Sequence, residues 1–319
     1  MTADILELYR AIRDVDHVAV PRVHSHTGTW HNNASYGNSI QINGPVVLPS
    51  NLPPIWNGQS RRINDVALDY LSSRFTGRDA ELKRLRTAFD TTVDDTPSRC
   101  VIHGAPGQGK TQLSLQYAKL AFDASTYTLI FWMSATSTEK LHLGFSRVLD
   151  TISHPDRIAT DQGSRLAAVK HWLGDRTLVS VPWLLIVDDV DESTIPFLRE
   201  HLPTQNKLGN ILFTTRSTEA AKQLSRGAGQ CFPIMELQPF SVQEAITLLF
   251  GSRHQNQQDE TSLAAARELV DSVGCLPLAV DKLAMTVAES PNSLSRVVER
   301  LPPGKIDKVS IPLCSWWRM

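Results

Sequence analysis

The 319-residue chain lacks an excess of charge of either sign: 32 Lys and Arg stand against 33 Asp and Glu. A dedicated nucleic-acid binder carries a basic surplus, so that class of partner is disfavoured. It also lacks clustered metal-binding residues. The four cysteines, Cys100, Cys231, Cys275 and Cys314, are far apart, with no CxxC pair and no histidines grouped for zinc. They read as reduced, mostly buried thiols. No apolar run reaches membrane-spanning length, and the N-terminus carries Asp4 and Glu7 where a signal peptide needs basic residues followed by an apolar stretch. These absences lead us to expect a cytoplasmic protein without a membrane segment.

A more local absence is unusual. From Val23 to Ser60 there is no Lys, Arg, Asp or Glu, while Asn, Ser, Thr, Gly and Pro dominate. Such a segment cannot bury enough apolar surface to form a core, so the N-terminal part is expected to be mostly disordered. Within it, Ser39-Ile-Gln-Ile-Asn43 alternates and closes on an Asn-Gly turn signal. Asn/Gln ladders with low charge favour cross-β stacking, so residues 21–65 read either as a linker or as a β-prone signalling segment. Ahead of it, Ile5, Leu8, Ile12 and Val15 share one face of a short helix over residues 1–20.

Beyond residue 65 the composition becomes ordinary, and 41% hydrophobic residues overall suit a core of normal size. Short apolar strands are predicted near 99–103, 127–134, 183–188, 210–215 and 231–237, with helical patterns between them. Alternation of this kind predicts an α/β fold with a parallel sheet over residues 66–240. Helical patterns at Val242–Phe250, Ser262–Val273 and Leu276–Glu289 predict a small helical subdomain over 241–302. The tail, 303–319, has no evident pattern.

The strongest motif is Gly104-Ala105-Pro106-Gly107-Gln108-Gly109-Lys110-Thr111, a complete G-x-x-x-x-G-K-[ST] between a predicted strand and a predicted helix. Glycines let backbone amides curl round a β-phosphate, Lys110 reaches the β/γ oxygens, Thr111 offers a hydroxyl to Mg²⁺, and Gln112 opens the helix beside them. A second strand, Trp183–Val187, ends in Asp188 and Asp189. Asp188 is the expected metal carboxylate, and Asp189 is placed to orient water, with Asp191 and Glu192 as competitors. Arg216 follows the next strand and can sense a γ-phosphate by charge.

Phe75-Thr76-Gly77-Arg78-Asp-Ala-Glu81-Leu82, the P-loop, Asp188-Asp189, Thr214-Thr215-Arg216 and Gly274-Cys-Leu-Pro277-Leu-Ala279 occur in this order. The chain thereby resembles the NB-ARC domains of signal-transduction (STAND) P-loop NTPases, among them plant resistance proteins and fungal NOD-like receptors, over about residues 70–290. The resemblance implies that Phe75, Thr76, Gly77 and Arg78 line the adenine and ribose pocket and that Pro277 approaches the nucleotide. It implies ATP/ADP and Mg²⁺ as ligands, at most slow ATPase turnover, and a homo-oligomer or signalling protein as partner in innate-immunity-like responses. The sequence departs from the family pattern by ending 40 residues after Ala279 without a Met-His-Asp string. No winged-helix domain is therefore expected here, and the pattern suits a truncated or partnered receptor. A turnover ATPase and a non-enzymatic scaffold are the alternative readings.

Overall fold

The computed structural model describes residues 62–90, 95–227, 230–251 and 260–288. The N-terminal helix, the uncharged segment up to residue 61 and the tail lie outside the described residues.

Apolar runs rich in Val, Ile, Leu and Phe form the strands β1 (Ile63–Asn64), β2 (Ser98–His103), β3 (Leu129–Ser134), β4 (Trp183–Val190), β5 (Gly209–Thr215) and β8 (Ile234–Glu236). They assemble in the order β1-β3-β4-β5-β2-β8, every pair parallel. A short antiparallel pair, β6 (Arg226–Gly227) and β7 (Gln230–Cys231), stands apart from this sheet. Parallel strands need crossovers, which here include the helices α1 (Asp79–Asp90), α2 (Lys110–Asp123), α3 (Thr138–Thr151), α4 (Gln162–Gly174), α5 (Ile195–His201) and α6 (Thr218–Ser225). Several begin on side-chain caps: Ser137 accepts from the Lys140 amide, Asp161 from those of Gly163 and Ser164, and Ser217 from that of Ala220.

The sheet is covered on both faces, and the two-residue period of the strands divides its side chains between two cores. Val101, Phe131, Leu185, Val187 and Phe213 enter one, packed against α3, α4 and α6. Ile102, Ile130, Leu184, Ile186 and Leu212 enter the other, with Leu113 and Leu115 of α2 and Leu85 of α1. A third core belongs to the helices α7 (Val242–Phe250), α8 (Glu260–Ser272) and α9 (Pro277–Ala288), around Ile246, Leu269, Val270 and Val280.

The P-loop NTPase sheet and the following helices stand where the sequence predicts them. Two elements differ: the strand expected near 231–237 is divided between β7 of the antiparallel pair and β8 at the edge of the main sheet, and one strand precedes the expected sheet. The stretch read as linker up to residue 65 includes β1, whose Ile63 and Asn64 pair with Leu129 and Ile130. Arg147 fixes this edge by donating to Asp65 at 2.8 Å. Two residues carry no readable periodicity, so the strand is dictated by its neighbour and not by its own pattern.

Candidate functional site

Strand order decides which residues meet. β5 lies between β2 and β4, so the carboxyl ends of these three strands bring together the loop after His103, the Asp188-Asp189 pair and the Thr214–Arg216 segment. A cavity of about 610 Å³ opens there, a size suited to a small organic ligand.

The loop Gly104–Gly109 owes its path to backbone freedom at two positions above all. Gly104 has φ +155°, and a Cβ there would fall 2.2 Å from Gln108 Oε1 and 2.8 Å from the Leu237 carbonyl oxygen. Gly109, at φ +87°, has open space around its absent Cβ and caps α2 without a side-chain bond. The first amides of α2 are thus left facing the cavity, where a helix N-terminus attracts anions. Lys110 turns back on the loop, donating to the Gly104 carbonyl at 2.7 Å and the Ala105 carbonyl at 3.0 Å. Burial and then the charge of Arg216 hold its ammonium below the ordinary lysine range, against the opposing pull of Asp189 and Asp188.

Asp188 accepts from Thr111 Oγ1 at 3.1 Å through each oxygen and from Thr214 Oγ1 at 2.6 Å. Burial raises its carboxyl above the usual range, and the bonds from Thr214 and Thr111 offset part of that rise. Asp189 sits in the left-handed region at φ +56° and takes a bidentate pair from Arg216, Nε at 3.0 Å and Nη2 at 2.9 Å. The two competitors face elsewhere: Asp191 caps the turn at Ser193, and Glu192 accepts from the Ser217 hydroxyl.

Of the predicted pocket residues, Phe75, Thr76, Arg78, Pro106, Gly107, Gln108, Gly109, Lys110, Thr111, Gln112, Asp188, Asp189, Arg216 and Pro277 line the cavity. Gly104 and Ala105 lie behind it, holding Lys110. Gly77, at φ +66°, turns toward α7, where a Cβ would meet Glu244 Oε1 at 2.6 Å. Arg78 has a part the sequence does not reveal. Its buried guanidinium donates to Glu81 at 2.8 Å, to the Gln238 carbonyl at 2.7 Å and to the Gln108 carbonyl at 3.3 Å, and lies 4.5 Å from the Phe240 ring centre. Gln112 bridges Tyr70 and Ser72, donating to the Tyr70 carbonyl at 2.9 Å and accepting from the Ser72 amide at 2.8 Å.

Phe240, Leu248, Leu278 and Asp281 complete the wall from the helical part. Helical periodicity marks Leu248 and Leu278 as apolar, but nothing local shows that they face a ligand. Asp281 Oδ1 is buried and accepts no hydrogen bond. Leu278 donates its backbone N–H to the Gly107 carbonyl at 3.1 Å, joining the start of α9 to the loop.

This donor set fits a Mg²⁺-nucleotide. Free helix-terminal amides and Lys110 suit phosphate, one carboxylate with one hydroxyl suits a cation that also binds phosphate, and the unpartnered Asp281 oxygen suits a ligand hydroxyl or amine. Among the described residues there is no group of three His, Cys, Asp or Glu that could hold a metal alone.

Sheet order, loop and paired aspartates define a nucleotide-binding P-loop NTPase. The chain belongs to the NB-ARC family, whose domain model matches residues 81–259. Among solved structures, the Aeropyrum pernix ORC2 protein in its ADPNP-ADP complexes is similar, at 14% identity over 74% of this chain and 72% of that one, with a TM-score of 0.51. Its ADP form gives 14%, 73%, 70% and 0.50. A Thermotoga maritima RuvB structure gives 18%, 72%, 67% and 0.38. At such identities the ORC2 likeness shows a common fold. No curated protein matches the chain. No helix among the described residues is long and apolar enough to cross a membrane.

Proposed function

We propose that the protein is an adenine-nucleotide switch: ADP holds the sheet and helical parts together, and exchange for Mg-ATP separates them so that the module can assemble with copies of itself or a signalling partner. The observation that carries this reading is that both parts build one cavity, with Leu278 of α9 bonded directly to Gly107 of the phosphate loop. A ligand in that cavity contacts both parts and therefore biases how they sit, which is the requirement for a two-state device.

In this reading the amides of Gly107–Thr111 and Lys110 take the β- and γ-phosphates. Thr111 and Asp188 hold Mg²⁺, which supplies charge neutralisation when bound. Phe75, Thr76, Phe240 and Pro277 accept the base and sugar, with Arg78 fixing the loop behind them. Arg216 reads the γ-phosphate and must leave Asp189 to do so. That pairing favours a switch over a turnover ATPase, because the carboxylate best placed to orient water is engaged by a cation.

The decisive measurement is the nucleotide that co-purifies with the protein, followed by titration of ADP and ATP into nucleotide-free wild type and Lys110→Ala. Wild type is expected to bind both, and Lys110→Ala to bind about 10–100-fold more weakly, the worth of a charge-assisted phosphate contact. Unchanged affinity in Lys110→Ala, or no adenine-nucleotide binding by wild type, refutes the reading. Turnover of several ATP per second would favour the ATPase.

A further inference from the structure

We propose that Thr214 is the positioning residue of the cation site, its single hydroxyl fixing the Asp188 carboxylate for Mg²⁺ while holding the backbone turn that sends Asp189 to Arg216. The inference rests on the proposed nucleotide function and names a residue that sets its metal dependence.

The argument begins with strand register. β4 and β5 pair regularly as far as Val187 opposite Phe213, and the next pair is Val190 opposite Thr215. Between these pairs β4 has two residues, Asp188 and Asp189, and β5 has one, Thr214. This is a β-bulge with one extra residue, a device that re-aims side chains and interrupts the backbone ladder. At the interruption the Thr214 side chain supplies the missing bonds. The Asp189 N–H reaches Thr214 Oγ1 at 2.8 Å, and Thr214 Oγ1 lies 2.6 Å from Asp188 Oδ1.

The direction of these bonds is forced. A backbone N–H can only donate, so Thr214 accepts from Asp189, and its one proton goes to the Asp188 carboxylate. Both bonds are thereby committed to one rotamer of a β-branched residue that is stiff at χ1 and 1% exposed. Thr111 differs. Its hydroxyl is shared evenly between the two Asp188 oxygens at 3.1 Å and lies at the exposed mouth, as a group that must also face a cation requires. Thr214 therefore locks the carboxylate and Thr111 completes the site. The left-handed backbone of Asp189, unfavourable for a residue with a side chain, is held by the same hydroxyl. The neighbours extend the stitching: Thr215 donates to the Val190 carbonyl at 2.8 Å, and Arg216 pairs with Asp189.

The test uses the full chain freed of nucleotide, with a fluorescent ATP analogue titrated in excess EDTA and at a series of Mg²⁺ concentrations. Thr214→Val keeps the shape and removes both bonds; Thr214→Ser keeps the hydroxyl. We expect Thr214→Val to need about 10–100-fold more Mg²⁺ for half-maximal tightening, the usual effect of losing a residue that orients a metal ligand, with affinity in EDTA close to wild type. Thr214→Ser is expected to follow wild type. A Mg²⁺ titration unchanged in Thr214→Val overturns the inference. So does an equal loss in EDTA and Mg²⁺, or a Thr214→Ser as impaired as the valine. Should Thr214→Val fail to fold, Thr214→Ala carries the same comparison with Thr214→Ser. If wild type binds the analogue but is indifferent to Mg²⁺, this inference falls while nucleotide binding stands; if wild type binds no analogue at all, the proposed function falls with it.

Discussion

Removal of the Arg78 side chain tests the architecture of the site at its most connected point. The guanidinium is 5% exposed and makes three donor contacts, to Glu81, Gln238 and Gln108, besides covering the Phe240 ring. Truncation to alanine leaves the buried Gln108 carbonyl and the part-buried Gln238 carbonyl short of a donor and a carboxylate without its cation. Breaking a buried ionic arrangement costs about 3–5 kcal/mol, and the lower end applies because the Glu81 side chain is 20% exposed and can be rehydrated. A loss of about 3 kcal/mol lowers the melting temperature by roughly 6–12 °C for a protein of this size. The backbone gives an internal control. Arg78 lies at φ +66°, so glycine in its place recovers about 1–2 kcal/mol that alanine does not. Lysine, a single point donor on a flexible stem, recovers only part of the loss. Urea unfolding of the three variants gives the order, and nucleotide titration shows whether the Gln108 carbonyl has moved. If Arg78→Ala is within about 0.5 kcal/mol of wild type, the range of an ordinary surface change, the side chain is not the staple described.

Two further outcomes follow from single positions. At Gly209 a Cβ would fall 2.0–2.5 Å from three ring atoms of the fully buried Trp183; Gly209→Ala should therefore destabilise by about 1–3 kcal/mol, and a melting temperature equal to wild type would show that the ring can yield. Asp188 is held above the ordinary carboxylate range by burial, so the native state binds its proton more tightly than the unfolded chain and this group's contribution to stability improves as pH falls through the raised value. Asp188→Asn should then be more stable than nucleotide-free wild type at pH 7 by about 0.5–2 kcal/mol, while losing at least about tenfold in Mg²⁺-dependent nucleotide affinity. The stability gap should narrow toward pH 4; a gap that is constant with pH, or an asparagine variant less stable at pH 7, contradicts the reasoning.

What could be read in advance follows from the range of the forces involved. Gly104, Gly109, Lys110 and Thr111 are neighbours in sequence, and their geometry is set by local backbone freedom, so the phosphate loop is visible as a string. The strands are visible because burial on both faces makes them apolar throughout. Thr214 shows the opposite case. As a letter it is a β-former inside a β-strand, and its importance arises only when the bulge in β4 places two aspartates opposite it. Arg78 is expected at the pocket from the resemblance alone, and its burial is not legible locally because carbonyls from Gln108 and Gln238, 30 and 160 positions away, converge on it. Asp281 reads as the polar face of a helix, and only the meeting of α9 with the phosphate loop turns it inward. The two-residue strand β1 is below the length at which any period can be counted.

The seam between the two parts bears on whether a nucleotide could move them. The helical core shares no residue with either core of the sheet, which is what the proposed switch requires of a part that moves. Across the seam run the Leu278 to Gly107 backbone bond at 3.1 Å and the Arg78 amide to Glu244 Oε1 contact at 3.4 Å, together with the Arg78 face on Phe240. At about 0.5–1.5 kcal/mol for each hydrogen bond, and about as much for the cation over the ring, separating them costs a few kcal/mol. That is the scale of typical coupling energies between ligand states, so a nucleotide that prefers one arrangement can reset it. Arg78 also stands at the join of the two parts. It holds the Gln238 carbonyl to the sheet side, while Phe240 is already packed in the helical core and bonded through its amide to the Cys275 carbonyl at 3.1 Å. In the proposed switch a rotation would fall on the backbone between these two anchors, and because the ring of Pro239 locks its φ, the ψ angles of Gln238 and Pro239 would carry it.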